Sequence, residues 1–432
     1  MRPLHHLYHS RLIAAVFMLG AAALSLSFGT ARASPAVVTL PRVDLTLWHQ
    51  QGAQTMAQLG IQKIFDSWAA IHAPGSTLTL VQKDSDDLST QFAALPAGMT
   101  APDLLWASAS TVVDDVQHQR LQAVDSLVDS TLFVPALVDP VRVNGQLYGV
   151  PLQGGNFLML FYNKQLVPQP PQTFHDLITL AVNLQGSHSG DKHFAAFAFN
   201  ELEPYWEFPY AYGYGATLFT ADGHSTALDS PAWRKAYQFV HDLKYKSLAL
   251  PESCDYECAD NGFRSGEIAM IINGDWALQG DQNYVTQLGD KLGIAPLPAL
   301  GSTASDQLPV PLLVGQYLFV PAATTGDKLT TAAAFVHFLS TDTATALAWT
   351  VPNRRLPALL SALNSDTISA DPILSQTRPM LLAGVSLPLR PETACVLTTL
   401  GLPYSYLMND MLQPADVMKQ TQEKAAACFN QK

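Results

Sequence analysis

The strongest constraint on the fold is an alternation of strand and helix patterns that begins near position 43. Alternating apolar and polar side chains predict strands at 43–48, 77–81 and 102–106. Apolar residues at helical spacing predict helices at 56–71 and 88–97 between them. A β-α-β-α-β order builds a parallel sheet that is covered by helices, so the sequence predicts an α/β fold.

A second block with the same alternation follows further along the chain. It contains predicted strands at 194–199, 267–272 and 292–296 with helical patterns between them. Extended, glycine-containing stretches at 145–155 and 309–321 join the two blocks. Two α/β blocks that are joined in this way predict two lobes on a hinge, where a few residues absorb the change in φ and ψ on closure.

Residues 1–33 have the features of a secretory signal peptide. Arg2 and Arg11 precede an apolar run at 12–24, and an Ala-Arg-Ala cleavage pattern ends at Ala33. The run is shorter than the about 20 apolar residues that span a bilayer, although a signal anchor is the alternative. No cysteine follows the apolar run, which disfavours a lipoprotein. We therefore expect an exported, soluble, monomeric chain that begins near Ser34 and resides in the periplasm.

The charge of the chain argues against polyanionic partners. The formal net charge is −12, and removal of residues 1–33 takes away three arginines and no acid, which lowers the charge to −15. Nucleic-acid binding needs a basic surface, and docking on anionic lipid needs one too. The sequence therefore predicts neither a nucleic-acid nor a membrane-surface partner.

Four cysteines, an even number in an exported chain, predict disulfide bonds. Three connectivities are possible, and we favour the local pairing of Cys254 with Cys258 and of Cys395 with Cys428. A metal site that uses acids near Cys254 and Cys258 is the rival interpretation, but no second His/Cys cluster has zinc spacing. We expect no metal and no cofactor.

Several segments in the same order along the chain resemble the maltose-binding-protein family, the extracellular solute-binding proteins of ABC sugar importers. Each segment is weakly specific by itself, whereas the collinear series through most of the chain is a strong resemblance. The segments are 45–48 (LTLW), 102–106 (PDLLW), 144–151 (NGQLYGVP), 161–164 (FYNK), 170–174 (PPQTF), 200–206 (NELEPYW), 263–270 (FRSGEIAM), 272–276 (INGDW) and 292–298 (LGIAPLP).

The resemblance implies a two-lobed α/β periplasmic-binding-protein fold with a hinge of about three crossings. The first lobe is expected to take residues 34–153 and 314–370, and the second lobe 154–313 and 371–432. It also implies that the protein binds a carbohydrate between the lobes and delivers it to permease subunits of an ABC importer in the membrane.

The resemblance also implies roles for individual residues. In Glu203-Pro204-Tyr205-Trp206, the carboxylate is expected to bond sugar hydroxyls while Tyr205 and Trp206 stack on a sugar ring. Trp276 follows a strand and a glycine, where the family has a stacking tryptophan. A pocket with apolar walls and a few placed polar groups suits such a ligand.

Five further residues are expected near the ligand by the same resemblance: Gln50, Gln51, Trp106, Asn156 and Arg354. Trp106 lies one place short of a stacking tryptophan of the maltose binder, and Asn156 stands at an acidic position. The acid and lysine that follow the first strand in the maltose binder are missing, and we find no match to its C-terminal stacking tryptophan. These differences favour another mono-, di- or oligosaccharide or a polyol over maltodextrin, and the acidic charge disfavours a sugar phosphate.

Two other functional classes are alternatives to a sugar-delivering protein. The same fold could bind a non-sugar solute or serve a sensor or chemoreceptor instead of an importer, because fold alone does not decide function. A secreted glycosidase would need two carboxylates at a defined separation, and Glu203 with Glu207 is one candidate pair. The sequence has no G-x-S-x-G, H-E-x-x-H or P-loop motif. We therefore predict a binding protein and not an enzyme.

Overall fold

The structure is a computed structural model that describes residues 39–52, 59–83, 85–95, 101–247, 249–280 and 282–430. The predicted signal peptide, residues 1–33, lies outside the described residues. Within the described ranges no helix is both long enough and apolar enough to cross a membrane.

Thirteen strands form two main sheets and a small hairpin within the described residues. They are β1 (Asp44–His49), β2 (Thr77–Gln82), β3 (Leu104–Ala107), β4 (Arg142–Val143), β5 (Gln146–Leu147), β6 (Gly149–Gly155), β7 (Leu158–Asn163), β8 (Ala195–Phe199), β9 (Ile268–Gly274), β10 (Leu292–Ala295), β11 (Leu312–Phe319), β12 (Leu356–Pro357) and β13 (Val385–Ser386).

Helices cover both main sheets. The described α-helices are Ile61–His72, Ser85–Ala93, Val112–Gln117, Pro135–Val138, Phe174–Ser187, Phe208–Gly213, Pro231–Tyr245, Tyr256–Ser265, Tyr284–Leu288, Gly326–Thr341, Thr343–Thr350, Leu360–Leu363, Asp366–Ala370, Leu374–Ala383, Thr393–Thr398, Gly401–Met408 and Pro414–Ala426. Local sequence explains individual ends. Thr173 caps Phe174–Ser187, because its hydroxyl accepts from the Asp176 N–H while the Asp176 carboxylate accepts from the Thr173 N–H.

The first sheet has seven strands, in the order β12-β6-β11-β3-β1-β2 with β13 beside β11. Strands β2, β1 and β3 are parallel neighbours, as the β-α-β-α-β pattern predicts. His49 at the end of β1 pairs with Trp106 near the end of β3. The residues that follow these two strands therefore leave the sheet at one edge, next to each other.

The second sheet has four strands in the order β10-β7-β9-β8. Strands β8 and β9 are parallel, so the segments after them also leave at a common edge. All seven residues of β9 and all six of β7 are buried. Such continuous apolar runs are expected of strands covered on both faces.

The chain passes between the two sheets three times. It crosses after β6, returns between β10 and β11, and crosses again after β13 to helices whose Val396 and Val417 belong to the hydrophobic cluster of the second sheet. The expected hinge of three crossings is thus confirmed. The predicted lobe ranges stay a prediction, except that the change at 370–371 comes too early. Val385–Ser386 still pairs with β11 of the first sheet, and a two-residue strand leaves no visible pattern in the sequence.

Both favoured disulfide pairings are confirmed. Cys254 bonds Cys258 and Cys395 bonds Cys428, and among the described residues there is no free cysteine. The first bond closes a short loop at the start of the helix Tyr256–Ser265, and the second ties the start of Thr393–Thr398 to the end of the described chain. The metal interpretation is wrong, because the sulfur atoms it needs are in disulfide bonds.

Candidate functional site

Four aromatic rings meet at the edge where β8 and β9 end. Tyr205 and Trp206 lie on the short 3-10 helix Pro204–Glu207 after β8, Trp276 lies on Asp275–Leu278 after β9, and Tyr256 starts the helix that precedes β9. The ring centroids of Trp276 are 6.3 Å from Tyr205 and 6.1 Å from Trp206. We call these four residues the aromatic cluster.

The four rings of the aromatic cluster differ in how much of each side chain is exposed to solvent. Tyr205, Tyr256 and Trp276 are half-buried, whereas Trp206 is buried at 2% exposure. The Trp206 Nε1–H donates to the Ile272 carbonyl over 3.0 Å. This placement gives no support to stacking of Trp206 on a ligand, which stays a prediction; in the structure its ring supports the other three. Glu203, just before the helix, is exposed as a ligand contact requires.

The orientation of the Trp276 ring is fixed from two sides. Its Nε1–H donates to the Tyr256 hydroxyl over 2.9 Å. Its benzene ring lies directly over Gly274, where a Cβ atom would overlap it. A glycine is therefore required at position 274 by the close contact with the Trp276 ring.

Asn156 connects the first crossing to the aromatic cluster through its backbone. It has a φ of 63°, a left-handed conformation that asparagine tolerates better than most residues. Its N–H donates to Asp275 Oδ1 over 2.8 Å, and its carbonyl accepts from the Tyr205 hydroxyl. The sequence predicted a role for the Asn156 side chain, which stays a prediction; the structure adds a backbone role that only the folded chain reveals.

A buried ion pair joins the segments beside this crossing. Arg355 NH1 lies 2.5 Å from Asp275 Oδ2, with the side chains 11% and 4% exposed. Burial raises the pKa of Asp275, although the Arg355 charge and the Asn156 N–H both favour the ionised carboxylate. Neither residue was predicted from sequence. The neighbouring Arg354 was predicted near the ligand, and its guanidinium donates to the Leu278 carbonyl over 3.1 Å.

Three glutamine side chains meet at the edge of the first sheet, and we call them the amide cluster. Gln50 and Gln51 follow β1, and their amide nitrogens lie 3.5 and 3.1 Å from Oε1 of Gln316 in β11. All three are half-buried. The predicted Gln50 and Gln51 thus share a site, while Gln316 was missed because its position beside them depends on strand order.

Trp106 is placed elsewhere than predicted. It is fully buried and packs edge-on against Trp349, with ring centroids 5.3 Å apart. All four residues of β3 are buried, so this strand has no face open to a cleft. This placement gives no support to the predicted ligand contact of Trp106, and its ring belongs to the hydrophobic core of the first sheet.

The predicted carboxylate pair of a glycosidase is not a pair in the structure. Glu203 is exposed, whereas Glu207 is completely buried behind the aromatic cluster. Glu207 accepts a hydrogen bond from the Tyr404 hydroxyl over 3.1 Å, and Tyr210 and Tyr237 also interact with it electrostatically. Burial raises the pKa of Glu207 well above its usual range, an effect that the Tyr404 hydrogen bond opposes.

Glu207→Gln is expected to change how stability depends on pH. An acid whose pKa is raised by folding stabilises most below its unfolded pKa, and this contribution is lost as the pH rises through the folded pKa. Relative to the variant, the wild type should lose up to about 1.4 kcal/mol per pH unit in that window. Urea unfolding at pH 5, 6.5 and 8 measures it. Exposed Glu203→Gln is the matched control, and a constant difference between wild type and Glu207→Gln would contradict the expectation.

The family model described as "Bacterial extracellular solute-binding protein" matches residues 70–376, more than half of the chain. The chain belongs to this family. The members of this family are extracellular binding proteins. This agrees with the predictions that the chain is exported and that it is a solute-binding protein.

Relatives with solved structures share the whole architecture. The maltose/maltodextrin-binding domain from Bdellovibrio bacteriovorus bound to maltotriose is 26% identical, with a TM-score of 0.72 over 88% of this chain and 98% of that one. The Thermus thermophilus maltotriose-binding protein is 25% identical, with a TM-score of 0.72 over 89% and 99% of the two chains. The two-lobed fold of this solute-binding protein, predicted from sequence, is thereby confirmed.

A curated relative points the same way. The maltotriose-binding protein of Pyrococcus abyssi is 24% identical over 335 residues, which are 76% of this chain and 70% of the relative. The resemblance to the maltose-binding-protein family is confirmed by these three similarities together.

Proposed function

We propose that this solute-binding protein captures a neutral carbohydrate between its two lobes and delivers it to the permease subunits of an ABC importer. It does so as a monomer in the periplasm. The observation that carries the proposal is the half-buried pair Tyr205 and Trp276, with exposed Glu203 next to them. Flat rings suit the apolar face of a pyranose, and a carboxylate suits its hydroxyls.

The amide cluster contributes polar groups without charge. The amide cluster offers both donors and acceptors, which match sugar hydroxyls that also act as both. An uncharged amide cluster, together with the aromatic rings of the second lobe, favours an uncharged sugar over a phosphorylated one. The names of the relatives make maltotriose the first probe, although the missing acid and lysine after β1 leave other mono- to oligosaccharides within the proposal.

Ligand capture follows from the hinge. A sugar that bonds both lobes does so only when they are closed, and its binding energy shifts the population toward the closed form. Asn156 lies at the first crossing, and its backbone forms hydrogen bonds with both Tyr205 and Asp275. We therefore expect the aromatic cluster and the first crossing to move together when the lobes close. The closed, loaded form is the one that we propose the permease recognises.

A thermal-shift screen of the purified protein tests the binding step. A ligand that binds only the native state raises the melting temperature by mass action. We expect a concentration-dependent rise with one class among maltose, maltotriose, trehalose, galactose and polyols. No shift with any carbohydrate would contradict the proposal, and slow consumption of a sugar would favour the glycosidase.

Uptake by cells tests the delivery step. Cells without the gene should lose high-affinity uptake of the radiolabelled sugar that was found in the screen, and a plasmid copy should restore it. Normal uptake with a lost chemotactic or transcriptional response to the sugar would instead identify a receptor-directed binder. Transport and sensing both begin with the same bound sugar. The presence or absence of uptake in these cells therefore distinguishes the two roles.

A further inference from the structure

Three buried polar side chains connect the segments that carry part of the aromatic cluster. Asp260 lies on the helix Tyr256–Ser265, Asn273 lies next to the end of β9, and Tyr284 begins the helix Tyr284–Leu288. All three side chains are buried. We call Asp260, Asn273 and Tyr284 the buried polar triad.

The Asp260 carboxylate is the common acceptor of this triad. Its Oδ1 accepts from the Tyr284 hydroxyl over 2.7 Å and from the Asn273 amide over 3.3 Å. The Asn273 amide also donates to the Tyr284 hydroxyl over 2.8 Å. The Arg264 guanidinium donates to Asp260 Oδ2 and forms an ion pair with it. An asparagine at this position would place its NH₂ group against donors on one side or the other.

Asn273 connects the buried polar triad to the backbone before Trp276. Its Oδ1 accepts from the Gly274 N–H over 2.8 Å, so its Nδ2 must be the atom that faces Asp260. Gly274 is also the residue over which the Trp276 ring lies. The Asn273 amide therefore constrains the chain at the end of β9, where the segment with Trp276 begins.

Tyr256 connects the buried polar triad to the Trp276 ring itself. Tyr256 and Asp260 are four residues apart on one helix, a spacing that places their side chains on the same face. Burial raises the pKa of Tyr256 and the nearby Asp260 adds to this rise, whereas hydrogen bonds with Trp276 and Asn273 oppose it. The Tyr256 hydroxyl, which accepts from the Trp276 indole over 2.9 Å, thus lies between the indole and the triad.

Stability alone is a weak reason for a buried carboxylate at this position. Moving the charges of Asp260 and Arg264 out of water carries a desolvation cost, and apolar residues of similar volume are often as stabilising or more so. A fully bonded polar network, in contrast, holds its members in one arrangement, because each donor needs its acceptor at hydrogen-bond distance. Between Tyr256 and the end of β9, such a network controls orientation.

We propose that Asp260 is a positioning residue for carbohydrate recognition. Its carboxylate anchors the buried polar triad, which holds the Tyr256 hydroxyl and the end of β9 in the arrangement that presents the Trp276 ring to the sugar. The inference rests on the proposed function and deepens it, because it names a residue that controls the site without contacting the ligand.

The orientation of the indole is tested first, without a ligand. The chain has seven tryptophans, and the indole N–H signal that disappears from the proton–nitrogen-15 correlation spectrum of Trp276→Ala belongs to Trp276. We expect Asp260→Asn to shift this signal more than any other indole signal. Asp103→Asn is the matched control. Asp103 is also a buried acid with a cationic partner, Lys328, but it precedes β3 in the first sheet, so its variant should leave the Trp276 signal in place.

A double-mutant cycle then tests the effect on affinity. Calorimetric titration with the sugar from the screen compares wild type, Asp260→Asn, Trp276→Ala and the double variant. We expect Asp260→Asn to weaken binding by about fivefold or more when Trp276 is present and by less than about twofold in the Trp276→Ala background, because residues in one hydrogen-bond network are energetically coupled. A purely structural role would reduce the affinity by the same factor in both backgrounds.

The outcomes separate the two proposals. If Asp260→Asn does not fold, Tyr284→Phe takes its place in both measurements, since it removes one hydroxyl of the triad and keeps the buried ring. An unmoved Trp276 signal, or equal affinity losses in both backgrounds, overturns the inference and leaves sugar binding intact. Absence of binding by every sugar in the wild type contradicts the proposed function, and the role in recognition falls with it even where the indole signal shifts.

Discussion

Trp276→Ala is expected to weaken carbohydrate binding by about 30-fold or more, with little change in the melting temperature of the free protein. Buried aromatic anchors at binding sites cost about 2 kcal/mol or more when truncated, and 1.4 kcal/mol corresponds to tenfold in affinity. Trp276 is half-buried and packs only against the outside of the second hydrophobic cluster, so its removal takes away ligand contact and little of the core. Calorimetric titration with the sugar from the screen measures the loss.

Tyr148→Ala is the matched control for this variant. Tyr148 is also half-buried and aromatic, but it precedes β6 and lies outside the aromatic cluster. Its removal should leave the affinity within about twofold of wild type, since remote, independent sites show little coupling. Unchanged affinity in Trp276→Ala would show that the sugar binds elsewhere, and equal losses in both variants would indicate a general structural effect.

Arg355→Met is expected to destabilise the protein by about 3–5 kcal/mol. It leaves the Asp275 carboxylate, 4% exposed, without its counterion, and an unpaired buried charge is strongly unfavourable. The double variant Arg355→Met/Asp275→Asn should recover much of the loss, because it removes both charges and retains an oxygen for the Asn156 N–H. Urea unfolding followed by circular dichroism measures the three proteins.

Arg234→Met provides the comparison for a solvated pair. Arg234 donates to Asp229 over 2.7 Å, but its side chain is 46% exposed, and such pairs contribute about 0–1 kcal/mol. A similar small effect for Arg355→Met would mean that the Arg355–Asp275 pair is solvated in solution. That result would contradict the tight contact between the first crossing and the segment around Arg355.

The fold was predictable because its local patterns agree with its long-range order. Strands β1, β2 and β3 and the helices between them follow from hydrophobic spacing within single segments. The position of the third crossing was not predictable in the same way. Val385–Ser386 forms only two residues of strand, and its partner β11 is distant in sequence, so no local pattern indicates the pairing.

The candidate site was predictable only where one segment carries it. Trp276 follows a glycine at the end of β9, and its exposure agrees with the prediction. Trp106 also lies near a strand end, but both faces of β3 are covered, which a four-residue apolar run does not reveal. Gln316 and Arg355 were missed because their partners Gln51 and Asp275 are distant in sequence, so no local signal exists for them.

The geometry of the candidate site depends on whether the disulfide between Cys254 and Cys258 has formed. Tyr256 lies inside the loop that this disulfide closes, and its hydroxyl holds the Trp276 indole in position. Disulfides persist in oxidising compartments and are rare in the cytosol. A copy of the chain retained in the cytosol would lack the covalent constraint on Tyr256, so the ring that meets the ligand would be less well oriented. Under the proposed function, we therefore expect export to complete the carbohydrate-binding surface by allowing this disulfide to form.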